Sequence, residues 1–389
     1  MKTTVELFCG IGGFRLAADA LGIETLWAND ISPKACKVYR SRFGDRELRE
    51  GDVAERLAEI PNHDLLTGGF PCQPFSSAGK KQGIKDPRGT LFNYVVEVLR
   101  QRTPKYFVLE NVKRLLTMER GIHFATILAA LAELDYLVEW RLVNAFHFGL
   151  AQNRQRVVIV GVRLDSLVSG NGVQVLPVRL ATPEDLAGLS RRQLDWIGSP
   201  GDWKDIGRHG VKFPNWGLAR NSRFYAASLD RFTAERPTVL LRDILEDEVS
   251  AKFDFTESTL ERIGDSTERN KFVEGVEILS NQGGGARMGY TVFGIDGIAP
   301  TLTSTASRHY ERYKVGDRYR RLTNVEYARL QGFPDDHCSA VSVYDQYALY
   351  GNAVPPSIVE WAIRRLGTNG FPAHDVPNAC GQKELFVDV

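Results

Sequence analysis

Closely spaced cysteine pairs are missing from this 389-residue chain: its five cysteines, at 9, 36, 72, 338 and 380, are odd in number, far apart and never arranged as C-x-x-C. That spacing argues against a disulfide framework and against a zinc site, so a reducing cytoplasm is the expected home. No apolar run reaches membrane-spanning length, and MKTT leads straight into a strand without a secretory apolar region, so neither a membrane anchor nor export is expected. A net charge excess is also lacking, at +1. What remains is ordinary soluble composition, 43% hydrophobic and 25% charged, in a chain long enough to suggest two domains.

The near-neutral sum hides an uneven distribution. Residues 191–242 hold ten Lys or Arg against five Asp or Glu, 243–277 hold four against eleven, and 305–329 hold seven against three. Two basic stretches flank an acidic one, which suits a phosphate-facing surface and equally suits plain solvated faces.

In the first third, strand-like and helix-like segments alternate: an apolar run over 4–8, a helical pattern over 14–21, a strand over 25–29 and a helix over 33–43 opened by Pro33. The rhythm continues with a strand ending at Thr67, a helix over 91–100, a strand over 106–109, a helix over 123–134 and strands near 137–143 and 157–162. Alternation of this kind predicts an α/β domain with a doubly wound, mostly parallel sheet.

Chemistry gathers at the strand ends. DLLTGGFPCQPFSSAGK, from Asp64 to Lys80, is a short strand breaking into a loop in which Gly68 and Gly69 permit a sharp turn, while Pro71 and Pro74 stiffen the chain around Cys72. A rigidly held thiol at a strand end is a nucleophile candidate, its rival being an inert buried cysteine. FCGIGGF, from Phe8 to Phe14, opens backbone N–H groups to a ligand at a helix start. It is not the dinucleotide fingerprint, which would need glycine where Arg15 stands.

Asp30 and Asp52 close the second and third strands, where carboxylates can accept from ribose hydroxyls and an adenine amino group, or simply cap the next turn. YFVLENV brings Glu110 and Asn111 to the same sheet edge as Cys72, and Gln152, Arg154 and Arg156 alternate at the entry to a strand, which would set all three on one face.

Together these motifs resemble the cytosine-5 DNA methyltransferase family, of the bacterial restriction-modification type. FCGIGG is similar to its S-adenosylmethionine turn, GGFPCQPFS to its nucleophile loop, ENV to its glutamate motif and QNRQR to its arginine motif. RRLTNVEYARLQGFP (320–334) and YGNAVPPSIVE (350–360) are similar to its two C-terminal motifs, in the family's order. The likeness covers roughly 1–163 and 298–366, with Asp30 where the family more often has glutamate.

It implies an S-adenosylmethionine-dependent methyltransferase fold, a Rossmann-like sheet, formed by 1–177 plus 339–389, and a smaller, irregular, β-rich target-recognition domain over 178–338. The implied catalytic residues are Cys72, Glu110, Arg154 and Arg156. The implied cofactor contacts are Phe8, Gly10, Gly12, Gly13, Asp30, Ile31, Asp52, Val53, Pro74, Asn352 and Val354, with S-adenosylhomocysteine as product and no metal required. DNA contacts are expected from Gln73, Ser76, Lys80, Arg88, Gln152, Arg208, Arg220, Arg223 and Arg308. In the middle region, Trp203, Trp216, Phe224 and Tyr225 interleave with arginines and Lys212 as a base-and-phosphate surface would, or as a small core would.

By that likeness the thiolate of Cys72 adds to C6 of a flipped cytosine, Glu110 engages N3 and the exocyclic amine, and Arg156 supports the ring carbonyl. The 81–92 loop is expected to close over the extruded base, with a helix beginning near Gly89, and the tail after Leu366 to be peripheral. Double-stranded DNA is the expected partner of a monomer, with a cognate restriction endonuclease as functional counterpart. Rival readings are the same methylation on an RNA cytosine, a silent DNA-binding relative, and a nicotinamide or flavin oxidoreductase, against which the failed fingerprint counts.

Overall fold

A computed structural model describes residues 1–71, 91–167, 177–186, 190–194, 212–220, 223–282, 288–303, 311–367 and 371–372. Thr3–Leu7 forms β1, Gly13–Ala20 α1, Glu24–Asp30 β2, Pro33–Phe43 α2, Leu48–Glu50 β3 and Leu65–Gly68 β4. Phe92–Arg102 is α3, Tyr106–Val112 β5, Ile122–Ala132 α4, Tyr136–Asn144 β6 and Gln155–Arg163 β7.

Strands β3, β2, β1, β4 and β5 lie side by side in that order, all parallel. The apolar runs β1 and β4 are almost wholly buried, as strands covered on both faces must be. Beyond β5 the sheet turns antiparallel: β7 inserts between β5 and β6 and runs against both. The cause lies in the connection, since only residues 145–154 join β6 to β7, with one helical turn at Ala145–Phe148, too short for a parallel crossover.

The sheet then continues further than expected. Pro177–Val178 is β8, Pro183–Leu186 α5, Ser190–Leu194 β9, Trp216–Arg220 β10 and Arg223–Ser228 β11. β10 pairs with β6, β11 with β10 and β9 with β11, giving ten strands in one mixed sheet. Strands β9, β10 and β11 therefore extend the first sheet rather than a separate unit. Trp216, Phe224 and Tyr225 are buried in its core, so these aromatics are packing residues and not a stacking surface for bases. Glu139 on β6 anchors the extension, accepting from the main-chain N–H of Arg179 and Leu180 and from Trp216 Nε1, at 2.8, 2.9 and 2.8 Å.

Glu257–Gly264 is α6. Thr267–Val273, Val276–Asn281, Thr291–Phe293, Arg312–Val315 and Arg318–Arg320 are β12 to β16, a second, five-stranded sheet. Asn324–Gln331 is α7, Val343–Asn352 α8, Pro356–Leu366 α9, and Phe371–Pro372 is β17, paired with β8. Ile358, Val359, Ala362 and Ile363 of α9 share a core with Phe14, Ala17 and Ala18 of α1. Helix α3 begins at Phe92, a little after the expected start.

Candidate active site

β1 feeds directly into the glycine-rich turn. Gly10 and Gly12 adopt φ of 54° and 84°, and Phe8 itself sits at 56°, a conformation that costs a non-glycine residue about 1–3 kcal/mol and clusters at functional sites. Side chains are excluded here by contact as well. A Cβ on Gly12 would fall 2.3 Å from the Phe43 ring, and one on Gly13 would fall 2.3 Å from the carbonyl of Val354. Asp30 holds the turn: Oδ2 accepts from Gly10 N and Oδ1 from Ser32 N, both at 2.8 Å. Burial raises its pKa despite those donors.

At the same sheet edge β4 ends in Gly68 and Gly69. Asn111 Nδ2 donates to the Phe70 carbonyl at 2.8 Å, fixing where the chain leaves the strand just before Cys72. Glu110 on β5 and Arg156 on β7 meet across neighbouring antiparallel strands, Nε to Oε1 at 2.7 Å. Burial lowers the Arg156 pKa, and the Glu110 carboxylate opposes that shift. A Cβ on Gly69 would lie 3.5 Å from Glu110 Oε2, so the carboxylate faces the backbone three residues before the cysteine.

A cavity of about 160 Å³ joins these parts, lined by Phe8, Gly10, Gly13, Asp30, Glu110, Asn352 and Val354 among the residues expected from sequence. Cys9, Ile11, Phe14, Ser32, Gly69, Leu349 and Ala353 line it too. Ser32 and Gly69 were readable as neighbours of predicted residues, whereas no local signal marks Leu349.

Other expected residues stand elsewhere. Gly12, Ile31, Asp52 and Val53 do not line the cavity; Ile31 is exposed, Val53 is in the core, and Asp52 caps a single turn by accepting from Ala54 N at 2.9 Å. Gln152 is fully buried. Its amide donates to the Leu330 carbonyl and accepts from Leu302 N, at 3.1 and 3.2 Å, so it is a tertiary staple and not a DNA contact.

Arg154 is likewise no clamp on a reacting ring, because its guanidinium donates to the carbonyls of Leu302, Gly351 and Ala353 at 3.3, 2.9 and 2.8 Å. Gln152 and Arg154 precede β7, which begins at Gln155, so strand alternation does not set their side chains on one face with Arg156. Arg220 is partly buried at the end of β10, and Arg223 opens β11. Cys72, Gln73, Pro74, Ser76, Lys80, Arg88, Arg208 and Arg308, with Trp203 and the 81–90 part of the expected lid, lie outside the described residues.

Such a cleft suits an enzyme that brings a nucleoside-bearing group up to a carboxylate–guanidinium pair at the carboxyl ends of parallel strands. Comparison with known proteins defines its class: the chain belongs to the C-5 cytosine-specific DNA methylase family, whose profile matches residues 2–368. It is a DNA cytosine-5 methyltransferase, and the family implies use of S-adenosylmethionine.

Its relatives include the type II methyltransferase M1.ScrFI of Lactococcus lactis subsp. cremoris, 33% identical over 361 residues, covering 90% of this chain and 74% of that protein. M.BanI of Aneurinibacillus aneurinilyticus is 33% identical over 432 aligned positions, covering 94% and 95%. Among solved structures, the Dnmt2 methyltransferase of S. pombe superposes with a TM-score of 0.58 at 19% identity, covering 93% of this chain and 97% of that one. A putative DNA modification methyltransferase encoded within an E. coli prophage gives 0.57 at 20%, covering 94% and 99%. At those identities the superpositions speak for the fold alone. Among the described residues no helix is long and apolar enough to cross a membrane.

Proposed function

We propose that this enzyme methylates C5 of one cytosine within a specific duplex sequence, by extruding the base and bonding it transiently to Cys72. The observation that carries the reading is Glu110, paired with Arg156 and lining the cavity that Asp30 also lines. A cytosine C5 in its aromatic ring is a poor nucleophile, so conjugation must first be broken. The Cys72 thiolate adds to C6 while Glu110 hydrogen-bonds N3 and the exocyclic amine and favours N3 protonation, and Arg156 steadies the pair and the ring carbonyl. S-adenosylmethionine, which Asp30 and the Phe8–Gly13 turn would hold, would supply the electrophilic methyl group for C5. Loss of the C5 proton to water then re-forms the double bond and expels the thiolate, leaving 5-methylcytosine and S-adenosylhomocysteine.

The turn fits an adenosyl group. Asp30 keeps acceptor capacity on both oxygens after holding Gly10 and Ser32, enough for ribose hydroxyls, and Phe8 and Ile11 add apolar surface. A base stacked in a duplex offers no face to sulfur, hence the extrusion. We assign target recognition within 178–338, centred on the five-stranded sheet because β9, β10 and β11 belong to the first one, with Gln73, Ser76, Lys80, Arg88, Arg208, Arg223 and Arg308 facing DNA. A cytoplasmic monomer paired functionally with a restriction endonuclease completes the proposal.

The test is transfer of labelled methyl from S-adenosylmethionine to duplex DNA or to tRNA, followed by bisulfite sequencing. Protected cytosines in one DNA context support it; label in tRNA alone, or none in either, overturns it.

A further inference from the structure

His337 belongs to none of the motifs above, yet it touches the cofactor turn from behind. It lies in the loop between α7 and α8, fully buried, and its Nε2 stands 2.7 Å from the carbonyl of Ile11, a residue that lines the cavity. A carbonyl only accepts, so Nε2 carries the proton and Nδ1 holds a lone pair. Nδ1 is buried with no hydrogen-bond partner among the described residues. The imidazole packs between Phe333 and Phe43, centroids 4.7 and 6.1 Å away. Phe43 is also the ring that fills the space a side chain on Gly12 would need. One cluster of tilted rings therefore supports both the histidine and the turn.

We propose that His337 is a positioning residue for the cofactor turn: its neutral imidazole latches the Ile11 carbonyl, and protonation at Nδ1 releases the latch and weakens nucleoside-cofactor binding. An imidazolium would aim a second N–H at no acceptor among the described residues, beside two phenylalanine rings, a state that opening relieves. The groups facing the ring are few. From α2 comes Arg42, paired with Asp336 at 3.0 Å, and Arg15 of α1 lies over Phe43. From its own loop come Asp336 and Cys338, and from α8 comes Tyr350, whose hydroxyl accepts from Cys338 N at 3.2 Å. Burial is the largest influence on the histidine pKa and lowers it, Arg42 adding to that, while the hydrogen bond to the Ile11 carbonyl and the charge of Asp336 oppose; the net shift is downward. Because protons favour the open turn and the ligand the closed one, affinity falls as pH falls.

This rests on the cofactor reading above and is tested by calorimetric titration of S-adenosylhomocysteine into the full-length enzyme at several pH values. Wild type is expected to lose affinity about three- to tenfold between about pH 7.5 and about pH 5.5 in excess of a His337→Gln variant, which keeps a donor but does not titrate. His337→Phe is expected to bind several-fold more weakly at every pH, with the shallow profile of the glutamine variant. Superimposable pH profiles for wild type and His337→Gln, with both folded by thermal melt at each pH, would overturn the proposal. Failure of every protein to bind the nucleoside at any pH would instead overturn the cofactor reading.

Discussion

Arg156 Nε stands 2.7 Å from Glu110 Oε1, joining residues on adjacent antiparallel strands, and Glu110 lines the cavity. The guanidinium is the orienting partner of the carboxylate, so removing it should disturb chemistry far more than cofactor binding. Arg156→Ala is expected to lower turnover on DNA by about a hundred- to a thousandfold, with S-adenosylhomocysteine affinity changed little. Arg156→Lys should rescue only part, since an ammonium lacks the planar fork. Glu110→Gln combined with Arg156→Ala should fall well short of additive loss if the two act as a unit. Steady-state kinetics on the double-mutant cycle decides.

Cys72→Ser should abolish methyl transfer while leaving cofactor binding intact. An alcohol is far less ionised than a thiol, whose pKa of about 8.5 already leaves only a few per cent thiolate at neutral pH. Normal methylation by the serine variant would refute the nucleophile assignment.

The glycines of the turn should respond unequally. A side chain on Gly13 meets the Val354 carbonyl at 2.3 Å, backbone against backbone-linked atom, whereas the space at Gly10 is open and only its φ of 54° resists substitution. Gly10→Ala should cost about 1–2 kcal/mol in a urea melt, the price of the left-handed region alone. Gly13→Ala should cost more and also weaken S-adenosylhomocysteine binding, because Asn352 and Val354 would be pushed from the cavity wall. Equal losses would contradict the contact argument.

Glu6 supplies a pH test of stability. Burial pushes its carboxyl from 4.5 up to about 8, with Tyr39 donating to Oε2 at 3.3 Å and Oε1 lacking a partner among the described residues. A raised folded-state pKa contributes stability that is fully present below the unfolded value and is lost as pH rises through the folded one. Wild type should therefore weaken against Glu6→Gln by a few kcal/mol between about pH 5 and about pH 8. Parallel stability curves for the two proteins would exclude the assignment.

The second sheet is tied to α7 by Arg320 and Glu326, a bidentate pair with both contacts at 2.7 Å and almost no exposure. Glu326 also accepts from Thr323 N at 2.8 Å, capping the helix. Arg320→Leu strands that carboxylate and should destabilise by about 3–5 kcal/mol, while Arg320→Met with Glu326→Gln should recover much of it. Chemical denaturation of the two variants separates a stranded charge from a simple loss of packing.

Much of the site was legible because its signals are local. Glycines at a strand end, a carboxylate closing β2 and the acid of ENV each announce a turn or a strand terminus within a few residues, and Asp30, Glu110 and Arg156 meet the expectation that they gather at one sheet edge. Gln152 and Arg154 were misread because their side chains bond to residues 302, 330, 351 and 353, partners no local pattern can name. The pattern of Trp216, Phe224 and Tyr225 is open to two readings for another reason. Aromatics alternating with arginines look the same in a core strand and on a nucleic-acid face, and pairing of β10 with β6 is what buried them.

Residue identity by itself determined the chemistry: which groups can attack, accept a proton or hold a ribose, and the parallel half of the sheet that brings their strands together. Only the folded chain decided that β7 runs antiparallel between β5 and β6, that Leu349 lines the cavity begun at Phe8, and that Arg154 holds main chain. Functional groups act through their own atoms and can be read where they stand, but orientation depends on partners hundreds of residues away, which packing alone selects.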